Sequence, residues 1–160
     1  MDMFTTGFLQ CALTRIAAKL PMSHVVHVGA LDSWPGTLVR GKCAMMIFNT
    51  QYGTESGEHW LAVYVDGRNA FYFDSFPLRP FPQLVLSKLA KICDTVENVN
   101  AEGFVLQNPT SPLCGLYCLA FLLCAGNGQT LNLCANNVVY NDVHILNVVL
   151  SYLCSPTYAL

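Results

Sequence analysis

The segment VLQNPTSPLCGLYCLAFLLCAGNG, residues 105–128, places a cysteine where a turn-rich stretch gives way to an apolar run. We predict a helix from about 112 to 125, with Ser111 as its N-cap and Pro112 at its first position. Cys114 then lies in the first helical turn, where unpaired backbone N–H groups and the positive end of the helix dipole favour a thiolate. Because the thiolate is the nucleophilic form of cysteine, Cys114 is a candidate nucleophile.

Two residues close to Cys114 in the sequence fit nucleophilic catalysis. Gly115 removes a side chain at the point where a substrate carbonyl must approach the sulfur. Gln107, seven residues before Cys114, could place its amide N–H beside the Cys114 backbone N–H and complete an oxyanion hole. The alternative for Cys114 taken alone is a packing role, since free cysteines on apolar helices behave as small hydrophobic residues.

A candidate general base lies in the clearest β-hairpin of the sequence, HWLAVYV and AFYFDSF around an Asp-Gly turn. If the turn centres on 67–68, His59 is a diagonal neighbour of Asp74, and if it centres on 66–67, the two residues face each other directly. Both registers put them on one face of the sheet, because strand side chains alternate. A carboxylate that binds one ring nitrogen leaves the other as a base. Taken alone, the pair could equally be a loop cap and an exposed strand-edge histidine.

The remaining hydrophobic pattern predicts an α+β protein with one domain over residues 1–160. The predicted elements are an amphipathic helix at 6–20, a buried strand at 43–48, the hairpin, a helix at 83–93, a short strand at 104–107, the helix of Cys114 and a last helix capped by Asn141. Residues 24–38 are predicted to be mostly connecting chain.

Composition limits the classes of function. Hydrophobic residues make up 53% of the chain, and charged residues make up 11%, well below the usual fraction of about a quarter. This composition predicts an ordered globular protein. The net charge of −2 and the scattered Lys and Arg argue against strong nucleic-acid binding. The longest apolar run, 116–125, is half of the about 20 residues that span a bilayer, and the N-terminus lacks a signal-peptide layout. We therefore expect a soluble, intracellular protein.

The eight cysteines and four histidines show no zinc-ligand spacing, and no C-x-x-C pair occurs. We therefore expect no metal, and mostly reduced thiols that pack in the core.

The segment QNPTSPLCGLYCLAF resembles the active-site segment of the adenovirus-type cysteine endopeptidase (adenain) family, in which a Gln and a Pro-x-Ser step precede Cys-Gly-Leu-aromatic-Cys. FNTQYGTESGEHWLAVYVDGRNAFYFDSF is similar to the segment around that family's catalytic His. WPGTL and KCAMMIFNT resemble the region before it. The resemblance covers roughly residues 34–124, in the same chain order.

This resemblance implies a fold and a set of site residues. The fold would be a central mixed β-sheet flanked by helices, with the nucleophile at the N-terminus of a buried helix. Cys114 would be the nucleophile, His59 the general base and Asp74 the orienting carboxylate. Gln107 would be the oxyanion-hole donor, and Trp60 and Gly115 would contact the substrate.

The resemblance also implies a function: a viral cysteine endopeptidase that cleaves precursor structural proteins after glycine-containing sites during virion maturation, by acyl transfer through a thioester. Its location would be the virion and the host nucleus. One alternative is a SUMO-type protease that removes ubiquitin-like modifiers. Another is an inactive relative that serves as a binding module, which the intact set of site residues argues against.

The cofactors of the adenain family are less clearly implied for this chain than its site residues are. The adenovirus enzymes are activated by a viral peptide that can be disulfide-bonded to a cysteine between the acidic residue and the Gln, and Cys93 alone lies in that interval here. We interpret Cys93 as a core residue. DNA activation is not expected from a chain with a net charge of −2. We expect precursor proteins as substrates, a peptide as the one candidate activator, no membrane partner, and a monomer.

Overall fold

A mixed five-stranded β-sheet forms the centre of the protein, in a computed structural model that describes residues 5–50, 59–100, 105–107, 111–129 and 142–154. The strands lie side by side in chain order: β1 (Ser23–Ala30), β2 (Cys43–Thr50), β3 (His59–Asp66), β4 (Asn69–Phe73) and β5 (Thr95–Asn98). The two outer pairs are parallel, and the β2–β3 and β3–β4 pairs are antiparallel.

Helices cover both faces of this sheet. The described ranges contain α1 (Thr6–Ala18), α2 (Gln83–Ile92), α3 (Cys114–Gly126) and α4 (Asp142–Cys154). One buried cluster joins α1, α3 and α4 to one sheet face, and a second joins α2 and Trp34 to the other. The prediction of an α+β fold with a central mixed sheet flanked by helices is confirmed. None of these helices has the length and apolar content needed to cross a membrane.

The first helix follows the sequence pattern closely. The Thr5 hydroxyl accepts a 3.1 Å hydrogen bond from the Phe8 N–H and so satisfies one of the unpaired donors at the helix start. Leu9, Leu13 and Ile16 recur at helical spacing and are fully buried. This stripe fixes α1 against α3 and the sheet.

The hairpin adopts the first of the two predicted registers. Val63 pairs with Tyr72 and Asp66 with Asn69, so the turn centres on 67–68. Gly67 has φ +61 there, a left-handed conformation that glycine adopts without the steric cost of a side chain. Consequently His59 and Asp74 are diagonal neighbours.

Neither of the two edge strands, β1 and β5, was predicted from the sequence. The segment that contains β1 was predicted as connecting chain, but Ser23–Ala30 pairs in parallel with β2. Most of its residues are only half-buried, because it lies at an edge, and the expected alternation is therefore weak. The short strand β5, with the sequence TVEN, is largely exposed and carries no apolar period.

Two further predictions need correction. Residues 105–107 are not a strand; the N–H groups of Leu106 and Gln107 instead donate to the Ser75 carbonyl. The helix α3 begins at Cys114, and Pro112 is not its first residue. The Ser111 hydroxyl accepts from the Leu113 N–H, which forms a local turn and leaves Leu113 as the N-cap residue. The predicted cap Asn141 lies outside the described residues, and α4 itself begins at Asp142.

A glycine at the second position of α3 allows this helix to pack closely. A Cβ on Gly115 would lie 3.1 and 3.2 Å from the two δ carbons of Leu9 and 3.4 Å from Cδ1 of Trp60. We expect Gly115→Ala to lower the free energy of unfolding by about 1–3 kcal/mol through overpacking, measured by urea denaturation.

Gly7 provides a matched control, since it is the second residue of α1. A Cβ there would meet only the Thr5 hydroxyl at 3.9 Å. Gly7→Ala should leave stability unchanged or raise it by up to about 1 kcal/mol. Equal effects of the two substitutions would show that the contacts of Gly115 do not limit packing.

Candidate active site

Three chain segments converge at one end of the β3–β4 hairpin. His59 is the first residue of β3, Asp74 follows the last residue of β4, and Cys114 is the first residue of α3. The His59 carbonyl accepts a 3.2 Å hydrogen bond from the buried Thr50 hydroxyl. Phe73 stacks on Phe121 of α3, with ring centroids 4.7 Å apart. This stacking fixes the end of β4 against the helix that carries Cys114.

The histidine and the carboxylate form a direct hydrogen bond. His59 Nε2 donates to Asp74 Oδ1 at 2.7 Å. The same oxygen accepts the Phe76 N–H at 2.9 Å, and Asp74 is only 8% exposed. Because two donors hold Oδ1, the carboxylate is fixed in orientation, and Nδ1 is the ring nitrogen of His59 left for another partner.

Cys114 lies near this pair, because its neighbour Gly115 packs against Trp60, the residue after His59. Burial has the largest effect on the pKa of His59 and lowers it. The hydrogen bonds and charges of Asp74 and Cys114 together outweigh burial and raise the pKa from 6.5 to about 10. At neutral pH the imidazolium is thus the favoured form, between a carboxylate and a sulfur that can carry negative charge. Such an arrangement can deliver a nucleophilic thiolate and donate a proton to a leaving group.

Gln107 lies at the edge of the same site. Its Oε1 accepts a 2.8 Å hydrogen bond from the Ser75 hydroxyl, and its Nε2 donates to the Ser111 carbonyl at 2.5 Å. An amide nitrogen carries two hydrogens, so one N–H of Nε2 is left after the bond to Ser111. This group is the one available for an oxyanion.

The two predicted substrate contacts are core residues in this structure. Trp60 is fully buried, and the space beside Gly115 is filled by Leu9 and Trp60. Packing therefore explains why position 115 is glycine, in place of the carbonyl access that the sequence suggested. Contact of Trp60 or Gly115 with substrate stays a prediction.

The other cysteines are distributed between core and surface. Six described cysteines are not in disulfide bonds, namely Cys11, Cys43, Cys93, Cys114, Cys118 and Cys154. Cys118 is fully buried one turn after Cys114, and Cys93 belongs to the cluster under α2. Within the described ranges, no group of three or more His, Cys, Asp or Glu is arranged to hold a metal.

Sequence reasoning missed Ser75 and the Phe76 N–H, which contact Gln107 and Asp74, respectively. Their position directly after Asp74 was a usable signal, because residues that follow a functional side chain at a strand end often lie in the same site. Their bonding partners, however, come from the path of the chain after β4, and no local pattern specifies that path.

The raised pKa of His59 predicts a pH-dependent contribution to stability. This contribution is fully present below pH 6.5 and is lost as the pH rises through about 10. Asp74→Asn removes one of the groups that raise the pKa. We expect it to lower the free energy of unfolding by roughly 1–4 kcal/mol below pH 6.5, with a smaller loss near pH 10, in urea denaturation.

The exposed pair Arg68–Asp94, with side chains 70% and 61% exposed, supplies the control. Both groups keep their charge between pH 6.5 and 10, so Asp94→Asn should have an effect that does not vary over this range. A loss in Asp74→Asn that is likewise independent of pH would contradict the assigned charge state of His59.

The comparisons with known proteins concern the sequence and the fold of the chain. No protein-family model matches the chain. A protease of Bovine adenovirus 2 is 31% identical over 107 residues, an alignment that covers 59% of this chain and 52% of that protein. The chain thus spans about half the length of the curated relative that it matches.

Solved structures share the fold. A protease of ASFV superposes with a TM-score of 0.65 at 18% identity, over 95% of this chain and 67% of that one. ChlaDub1 from Chlamydia trachomatis gives 0.55 at 16% identity, over 98% and 83%. The SUMO protease Ulp1, solved with its catalytic cysteine oxidized to a sulfinic acid, gives 0.51 at 13% identity, over 94% and 78%. The chain is therefore similar in sequence to part of an adenovirus protease, and it shares its fold with the ASFV protease, ChlaDub1 and Ulp1.

Proposed function

We propose that this chain is a viral cysteine endopeptidase that cleaves precursor structural proteins after glycine during virion maturation. The observation that carries the proposal is the His59–Asp74 hydrogen bond of 2.7 Å, at the end of the hairpin against which Cys114 begins α3. The charge and hydrogen bonding of Cys114 contribute to the raised pKa of His59. The sequence relative named as a viral protease supports the same class of reaction.

In the first half of the reaction, Cys114 Sγ attacks the carbonyl carbon of the scissile peptide bond. The electron pair of the C=O bond moves to oxygen, and the Cys114 backbone N–H and Gln107 Nε2 stabilise this oxyanion. Collapse of the intermediate breaks the C–N bond, and His59 Nδ1 donates its proton to the leaving amine. The products of this half-reaction are a free amine and a thioester on Cys114.

In the second half, the now neutral His59 takes a proton from water, and the hydroxide adds to the thioester carbonyl. The C–S bond then breaks and releases the carboxylic acid, and Cys114 returns as the thiolate beside the imidazolium. Asp74 holds the His59 ring through Nε2, which leaves Nδ1 for the two proton transfers.

Preference for glycine-containing sites follows from the resemblance in sequence to the adenain family and is part of the proposal. Selection for glycine requires a site that admits a chain without side chains next to the sulfur. The burial of Cys114, which is 5% exposed, supports a preference for substrates with small residues beside the scissile bond.

We further propose that Cys93 does not anchor an activating peptide by a disulfide. It is 7% exposed, it packs in the cluster that includes Val85 and Leu89, and burial raises the pKa of its thiol. A buried thiol of raised pKa reacts slowly in disulfide exchange. A peptide that activates this chain would therefore bind without a covalent bond to Cys93.

Cys114→Ala should abolish cleavage. We expect kcat/KM for fluorogenic peptides with x-Gly-Gly and x-Gly-x sites to fall by at least about 10³-fold, because the nucleophile is lost. Cys11→Ala is the matched control, since Cys11 is an exposed free thiol on α1 and its loss should leave the rate unchanged.

The same assay includes SUMO and ubiquitin with a fluorogenic C-terminal amide. Turnover of these substrates alone would replace the proposal by a deconjugating protease. Cleavage that survives in Cys114→Ala would contradict the assigned nucleophile. Absence of cleavage by the wild type, with Cys114 mapped by mass spectrometry as no more readily alkylated than Cys11, would favour an inactive relative.

A further inference from the structure

Ser75 lies between the carboxylate of Asp74 and the N–H of Phe76 and is fully buried. Its hydroxyl donates to Gln107 Oε1 at 2.8 Å. Its carbonyl accepts the N–H groups of Leu106 at 2.9 Å and of Gln107 at 3.0 Å. Ser75 therefore binds both the backbone and the side chain of Gln107, and it does so from the residue next to Asp74.

The hydroxyl of Ser75 restricts the orientation of the Gln107 amide. The oxygen of an amide only accepts hydrogen bonds and its nitrogen only donates. Ser75 holds Oε1 from one side, and the Ser111 carbonyl takes one hydrogen of Nε2 from the other. With both ends held, the second hydrogen of Nε2 has a fixed direction.

We propose that Ser75 is a positioning residue, which acts through Gln107 to aim the second Nε2 hydrogen at the oxyanion formed on the substrate. This inference rests on the proposed function. In consequence, the two-residue segment 74–75 positions two parts of the reaction: Asp74 orients the base His59, and Ser75 orients the oxyanion donor Gln107.

The alternative is that Ser75 only ties residues 105–107 to the end of β4. The two bonds to the Ser75 carbonyl already make that connection, and they involve backbone atoms alone. Ser75→Ala keeps them and removes only the hydroxyl. The substitution leaves the buried Oε1 of Gln107 without its donor, so the amide moves to recover a hydrogen bond.

The test measures kcat and KM for the peptide that the wild type cleaves best, in Ser75→Ala, Gln107→Ala and the double variant. We expect Ser75→Ala to lower kcat by about 10- to 100-fold with KM within about twofold, which is less than the 10²–10³-fold loss of a whole oxyanion donor. In the Gln107→Ala background, Ser75→Ala should cause no further loss, because its effect passes through the missing amide.

A second readout is the rate at which iodoacetamide alkylates Cys114, followed by mass spectrometry. Alkylation displaces iodide and forms no oxyanion, so Ser75→Ala should leave this rate unchanged. Asp74→Asn is the contrasting variant and should slow alkylation, since it acts on His59. Urea denaturation of each variant shows whether it is folded under the assay conditions.

The outcomes are separable. Unchanged kcat in Ser75→Ala, losses that add to those of Gln107→Ala, or slowed alkylation in a folded Ser75→Ala protein would each overturn the inference and leave the proposed function in place. If the wild type cleaves none of the substrates, the proposed function fails and this inference fails with it. The inference is supported if Ser75→Ala lowers kcat, causes no further loss in the Gln107→Ala background, and leaves the alkylation rate of Cys114 unchanged.

Discussion

The register of the β3–β4 hairpin is the constraint on which the candidate site depends. His59 is the first residue of β3 and Asp74 follows β4, so the Nε2–Oδ1 distance of 2.7 Å depends on a register that places both side chains on one face. A slip of one residue would turn one side chain to the opposite face. The register is itself secured by the core, because alternate residues of β3 belong to two different buried clusters. The packing of apolar side chains thus determines the geometry of a polar pair.

The candidate site also requires that α3 be fixed in position along its own axis and in rotation relative to this hairpin. Nearly every residue of α3 is buried, so the helix cannot rotate without exposing apolar surface. Phe121 stacks on Phe73 two turns from Cys114, and Gly115 permits contact with Leu9 and Trp60. Since the helix is held along its length, Cys114 is held at its start, close to the end of the hairpin that carries His59.

The sequence predicted the placement of His59 beside Asp74 better than it predicted the strands of the sheet. His59 and Asp74 could be placed on one face because period-two alternation holds in both of the registers considered. Cys114 could be placed near a helix start because Ser, Pro and Gly bound the apolar run. The strands β1 and β5 were missed because edge strands need not alternate. The predicted start of α3 was wrong because the Ser111 hydroxyl accepts the Leu113 N–H in a local turn and does not cap a helix that begins at Pro112.

The orientation of Gln107 shows why the remaining part could not be predicted. Spacing alone put the amide seven residues before Cys114, but its direction depends on Ser75 and on the Ser111 carbonyl, which reach it from two separate segments. A similar dependence holds for His59, whose burial opposes the charge that Asp74 and Cys114 favour. In both cases a side chain of the expected type depends on a partner from another part of the chain, Ser75 for Gln107 and Asp74 for His59. Residue types and spacing therefore indicate which reaction is feasible, whereas the tertiary partners set the charge and direction of each group.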